Sequence, residues 1–130
     1  MAIIVDVEGY IAGVGYNGAP PGHTHCTDGG CPRLTANSAP GSNYDNCVSV
    51  HAEINALINC ASGTQKRGGT IYVNGEPCYQ CAKAIVSARI KRVVYISDPL
   101  YIYSEFDRVS ELLKQSDIEI INISDDFGNK

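Results

Sequence analysis

Apolar residues come in short clusters along this chain, and their spacing changes from strand-like to helical after about residue 50. Ala2 to Val7 is rich in β-branched residues, Glu8-Gly9 is a turn, and Tyr10 to Val14 is a second apolar run. Two such runs around a glycine-containing turn predict a hairpin. From Gly15 onward Gly, Pro, Asn and Ser displace the apolar residues, so the stretch from about 18 to 46 is expected to be one long loop. Loops of that length inside compact domains are usually functional or disordered.

Between Val50 and Ala61 the apolar positions Ile54, Leu57 and Ile58 follow a helical spacing, which places His51 and Glu53 in the first turn of a helix. Thr70 to Asn74 predicts a strand, and Cys78 to Ala88 a helix with Ile85 and Val86 turned inward. Arg92 to Ser97 predicts a strand, Ser104 to Gln115 a helix, and Ile118 to Ile123 a last strand. This alternation after a hairpin predicts a mixed sheet covered by helices, in one α/β domain over residues 1–130 with a short flexible tail from about 125.

Composition narrows the class of partner more than it changes the fold. A chain of 130 residues builds one core and is too short for two ordinary domains. Hydrophobic content of 44% and charged content of 18% are those of an ordinary globular protein. With no signal peptide and no apolar run long enough to span a bilayer, the expected location is the cytoplasm, or the host cytoplasm if the source is viral. The net charge of −4 argues against the basic surface that long nucleic acids require, so a small substrate is favoured and no membrane partner is expected. In a reducing compartment, six cysteines point to metal or redox chemistry before structural disulfides.

Two short segments carry the chemistry. His51-Ala52-Glu53 and Pro77-Cys78-Tyr79-Gln80-Cys81 supply one imidazole, two thiolates and a carboxylate. A structural zinc is normally closed by four protein ligands, whereas a catalytic zinc uses three and keeps a position for water. His51, Cys78 and Cys81 are therefore the candidate ligands of a catalytic Zn2+, with Glu53 as the residue that moves protons. Cys78 and Cys81 are three apart, so a helix places them on one face, and a helix N-terminus favours the thiolate form. A structural zinc completed by another cysteine is the competing reading, but it leaves Glu53 without a purpose.

The pattern H-x-E followed by P-C-x-x-C is the signature of zinc-dependent nucleobase deaminases. With Gly15-Tyr16-Asn17-Gly18-Ala19-Pro20, His25 to Arg33, His51 to Leu57 and Pro77 to Lys83, the chain resembles the deoxycytidylate (dCMP) deaminases of the cytidine-deaminase-like superfamily. The resemblance covers most of the chain. It implies a three-layer α/β/α fold with a five-stranded mixed sheet, though the N-terminal helix usual in that family is missing here. It also implies conversion of dCMP and water to dUMP and ammonia, feeding thymidylate synthesis.

Residue by residue, the resemblance makes His51, Cys78 and Cys81 the zinc ligands and Glu53 the proton shuttle. Asn17 would hydrogen-bond the sugar, the backbone around Ala52 and Pro77 would hold the pyrimidine, and Tyr101 would close over the substrate. It further implies a homo-oligomer, a hexamer being favoured, activated by dCTP and inhibited by dTTP with Mg2+. Tyr16, Asn17, Gly18 and Arg33 are the effector candidates. His25, Cys26, Cys31 and Cys47 would form a second metal site, with free thiols or a Cys26–Cys31 disulfide as the alternatives. Cys60 reads as a small core residue, and Tyr101 and Tyr103 serve equally well as packing residues. Two other functions compete: deamination of another cytosine-type or adenine-type nucleoside or base, and a zinc-stabilised deoxynucleotide sensor without turnover.

Overall fold

A computed structural model describes residues 1–24, 49–97 and 105–127. Its elements in chain order are β1 (Ala2–Val5), β2 (Ile11–Gly15), α1 (Ala52–Ile58), β3 (Thr70–Val73), α2 (Tyr79–Ser87), β4 (Arg92–Tyr95), α3 (Phe106–Gln115), β5 (Glu119–Asn122) and α4 (Ser124–Phe127). The strands form a five-stranded sheet in the order β2-β1-β3-β4-β5. β1 runs antiparallel to both neighbours, while β3, β4 and β5 are parallel, so the sheet is mixed as expected.

Strand periodicity decides which residues become core. Register aligns Gly13, Ile4, Ile71, Val93 and Ile120 in one row across the sheet. Four strands of this row join the core with Ala56 of α1, Ile85 of α2 and Val109 and Leu113 of α3. The alternate row, Val14, Ile3, Tyr72, Val94 and Ile121, lies on the opposite face, because successive side chains of a strand point to opposite sides. On that face Ile11, Val14 and Tyr72 are exposed.

The hairpin turn shows why β1 is shorter than its apolar run. The Asp6 carboxylate accepts the backbone N–H groups of Glu8 at 3.0 Å and Tyr10 at 2.9 Å, which folds the chain back after Val5. Gly9 supplies the positive φ of 91° that the turn requires. The Tyr10 bond is the main reason the Asp6 carboxyl is held below the usual carboxylate range. Because that pKa is lowered on folding, the stabilisation is complete above the ordinary carboxylate pKa and is lost as pH falls through the lower folded value. Acid unfolding of Asp6→Asn is therefore expected to be flatter with pH than that of the wild type. Parallel acid titrations of the two proteins by circular dichroism check this.

At the other end of the chain, α4 occupies the start of the segment expected to be a flexible tail. Ser124 explains the difference. Its hydroxyl accepts the Ser97 N–H at 2.7 Å, and its own N–H donates to Asn122 Oδ1 at 2.9 Å. These bonds tie the tail back to the ends of β4 and β5.

Candidate metal centre

The parallel strands bring the chemistry to one end of the sheet. β3 leads through residues 74–77 into α2, and β1 and β2 carry α1 beside it. His51 and Cys78 were expected within the first turns of their helices, but each occupies the N-cap position instead. Both have extended backbones, with φ and ψ of −65° and 150° at His51 and −75° and 171° at Cys78. Glu53 and Cys81 are the residues within the first turns.

N-cap residues are usually Ser, Thr, Asp or Asn, whose side chains accept one of the helix's unpaired N–H groups. Neither His51 nor Cys78 makes such a bond. Their side chains turn to each other: His51 Nδ1 is 3.3 Å from Cys81 Sγ and 3.4 Å from Cys78 Sγ. One donor atom from each of the three residues lies within 4.8 Å of the others. A tetrahedral zinc with ordinary Zn–N and Zn–S bonds spaces its ligand atoms by roughly 3.6–3.8 Å, so the three donors fit a single zinc with little adjustment.

Burial and mutual hydrogen bonding set the protonation of this group. Cys78 and Cys81 are buried. The hydrogen bond from Cys81 is the main cause that holds the Cys78 sulfur well below the ordinary thiol range. The same bond, made as donor, is the main cause that pushes Cys81 up, with burial adding to it. A bound metal ion would take both sulfurs as thiolates. Burial raises the Glu53 carboxyl, opposed by its hydrogen bond with Cys81 and by the nearby His51.

Several other candidates gather at the same place. Asn17 Oδ1 accepts the Ala52 N–H at 2.7 Å, taking the capping role that His51 leaves open. The donor fixes which way the Asn17 amide faces, so its Nδ2 is the end left to meet another group. Within the backbone expected to hold the pyrimidine, the Ala52 N–H is engaged by Asn17. Pro77 is fully buried next to Cys78. Gly18 pairs with Val50 through two backbone bonds of 2.8 and 3.2 Å, and the Tyr16 side chain is exposed. Cys60 is partly buried and packs against the core, and burial raises its thiol, as suits a packing residue. Arg33, Tyr101, Tyr103, His25, Cys26, Cys31 and Cys47 lie outside the described residues.

Two features escaped the sequence reading. Asn55 of α1 and Asn59, the C-cap of the same helix, donate to the Tyr16 and Val14 carbonyls at 2.9 and 3.0 Å. Arg108 of α3 stacks on the ring of Tyr79, the residue after Cys78, at 3.8 Å from its centroid. The first had a signal in the i, i+4 spacing of the two asparagines, whereas the second depends on how α2 and α3 meet.

Residues 1–97 match the family model of the cytidine and deoxycytidylate deaminase zinc-binding region. This chain belongs to that family. The deoxycytidylate deaminase of Mycobacterium phage D29 is 46% identical over 90 residues, which cover 65% of this chain and 68% of that one. The human deoxycytidylate deaminase is 42% identical over 98 residues, 75% of this chain but only 52% of the human one. Among solved structures, the dCMP deaminase of cyanophage S-TIM5, crystallised with dCMP and dUMP, superposes with a TM-score of 0.64 at 28% identity. That superposition covers 93% of this chain and 78% of the cyanophage chain. The cytidine-deaminase-like α/β fold and the zinc-binding character of the family thus agree with the donor set found here.

Proposed function

We propose that this chain deaminates dCMP hydrolytically to dUMP and ammonia, with zinc held by His51, Cys78 and Cys81. The observation that carries the reading is the convergence of these three donors beside Glu53, which hydrogen-bonds Cys81. The names of the phage and human relatives supply the substrate. When bound, zinc makes a water acidic enough to furnish hydroxide near neutral pH.

Glu53 then performs both proton transfers. It takes a proton from the attacking water as the new C–O bond forms at C4 of the cytosine, and it passes that proton to ring N3. It then carries the proton of the new C4 hydroxyl to the amine, the C4–N bond breaks, C4–O becomes the carbonyl of dUMP, and ammonia leaves. A carboxyl whose pKa burial has raised can hold and release a proton closer to neutral pH than an exposed one. Asn17 Nδ2 is the donor we assign to the sugar, with the chain around Ala52 and Pro77 forming the wall for the pyrimidine and Tyr101 closing over it.

We extend the proposal to control by deoxynucleotides, with dCTP activating and dTTP inhibiting in the presence of Mg2+, in a hexameric assembly. Arg33 and the loop Tyr16-Asn17-Gly18 would receive the effector. The bond from Ala52 to Asn17 gives that loop a direct hold on the peptide between His51 and Glu53. Opposite displacements of the dCMP saturation curve by the two nucleotides would support this, and no displacement by either would refute it.

The main test is optical. Incubation of zinc-loaded protein with dCMP is expected to remove the cytosine absorbance band, a chelator to stop the loss, and added zinc to restore it. Deoxycytidine and CMP should be much poorer substrates. Zinc-loaded protein that leaves dCMP unchanged would overturn the proposal.

A further inference from the structure

We propose that Asn55 is a positioning residue that sets the metal centre and the Tyr16-Asn17-Gly18 loop in fixed relation to each other. Its Nδ2 donates to the Tyr16 carbonyl at 2.9 Å and to the Val50 carbonyl at 3.4 Å. Tyr16 immediately precedes Asn17, and Val50 immediately precedes His51. One amide group therefore joins the peptide before the nucleotide contact to the peptide before the metal ligand.

The surrounding bonds close this link into a small lattice. Val50 exchanges both backbone bonds with Gly18, and Ala52 donates to Asn17 Oδ1 at 2.7 Å. The backbone N–H of Asn55 itself donates to the His51 carbonyl at 3.0 Å. Asn55 is thus the one residue of α1 whose main chain holds His51 and whose side chain holds the loop opposite.

The residue type fits the task. A primary amide places two hydrogens on one nitrogen without charge, which suits two carbonyl oxygens converging on it. An aspartate of the same shape offers only acceptors and would repel both. Asparagine is also a poor residue for a helix interior, since its side chain competes for backbone hydrogen bonds. Its presence in a helix of seven residues needs compensation, and the long-range bond to Tyr16 with the local one to Val50 provides it.

Asn59 supplies the control. It donates to the Val14 carbonyl of β2 at 3.0 Å, joining the C-cap of α1 to that strand, but neither partner adjoins a site residue. If these asparagines only fasten α1 to β2, removing either has the same consequences. If Asn55 positions the site, the consequences differ.

The experiment compares Asn55→Asp, Asn55→Ala and Asn59→Ala with wild type in zinc affinity by chelator competition, in KM for dCMP at saturating zinc, and in unfolding midpoint. Both Asn55 variants are expected to weaken zinc binding and raise KM by about tenfold or more, while Asn59→Ala changes each by less than about twofold. Retention of both quantities in Asn55→Asp, or an equal loss in Asn59→Ala, would overturn the inference. So would failure of both Asn55 variants to fold while Asn59→Ala folds, since that assigns Asn55 to stability alone. The inference rests on the metal and nucleotide roles proposed above, but zinc competition requires no turnover. A protein that binds zinc yet leaves dCMP unchanged would refute the function and leave this measurement decisive for Asn55.

Discussion

Glu53→Gln is expected to retain wild-type zinc content and an unchanged fold while losing about 10²–10⁴-fold in kcat on dCMP. The substitution keeps the shape of the side chain and its place in the first turn of α1, so neither the His51 backbone nor the Asn17 cap should move. What it removes is the capacity to accept a proton from water and return it to the pyrimidine. Two transfers depend on that one group in the proposed mechanism, so loss of either stops turnover. Metal analysis and single-turnover kinetics on the same preparation separate the two properties. Near-normal kcat in a zinc-loaded Glu53→Gln protein would show that another group moves the protons.

Gly15→Ala should be the most damaging single methyl group that can be added to the described part of the chain near the site. A Cβ on Gly15 would lie 2.3 Å from the Ala56 backbone nitrogen and 2.4 Å from the Ala52 carbonyl oxygen. Both are main-chain atoms, so no rotamer change relieves the overlap, and α1 must move away from β2. Overpacking of this kind costs about 3 kcal/mol, at the upper end of the usual range. The shift would also stretch the bonds from Asn55 to Tyr16 and from Asn59 to Val14, the two neighbours of Gly15. Thermal unfolding is expected to show a large loss of stability, with zinc affinity falling alongside it. Gly18→Ala, where a Cβ meets nothing within 4 Å, is the matched control and should change little.

These two positions illustrate what a sequence can and cannot reveal about this site. The gathering of His51, Cys78 and Cys81 was legible because a metal centre demands particular donor atoms, which these residue types supply. The helix starts were less legible. Whether His51 lies inside α1 or caps it depends on who satisfies the first N–H groups, and that partner, Asn17, is distant in the chain. Gly15 read as the start of the loop, when it closes β2, and the missing side chains of Gly13 and Gly15 are what let α1 lie against that strand. Asn55 read as one residue of a motif, and its partners became visible only once the hairpin was folded onto the helix. The end of β1 at Val5 was hidden for a similar reason, since the Asp6 turn competes locally with an apolar pattern that continues to Val7.

The direction of β1 has a practical consequence for anyone handling this protein. Ala2 pairs with Val73 beside the loop that leads to Cys78, whereas Val5 pairs with Thr70, so the Glu8-Gly9 turn projects from the far end of the sheet. That turn is exposed and is held by Asp6 without help from α1 or α2. A fluorophore, affinity handle or surface tether grafted there would be separated from the chemistry by the full length of the strands. The opposite end of β1 is the poorer choice, because the Met1 nitrogen donates to Asn74 Oδ1 at 2.7 Å on the approach to the cysteines.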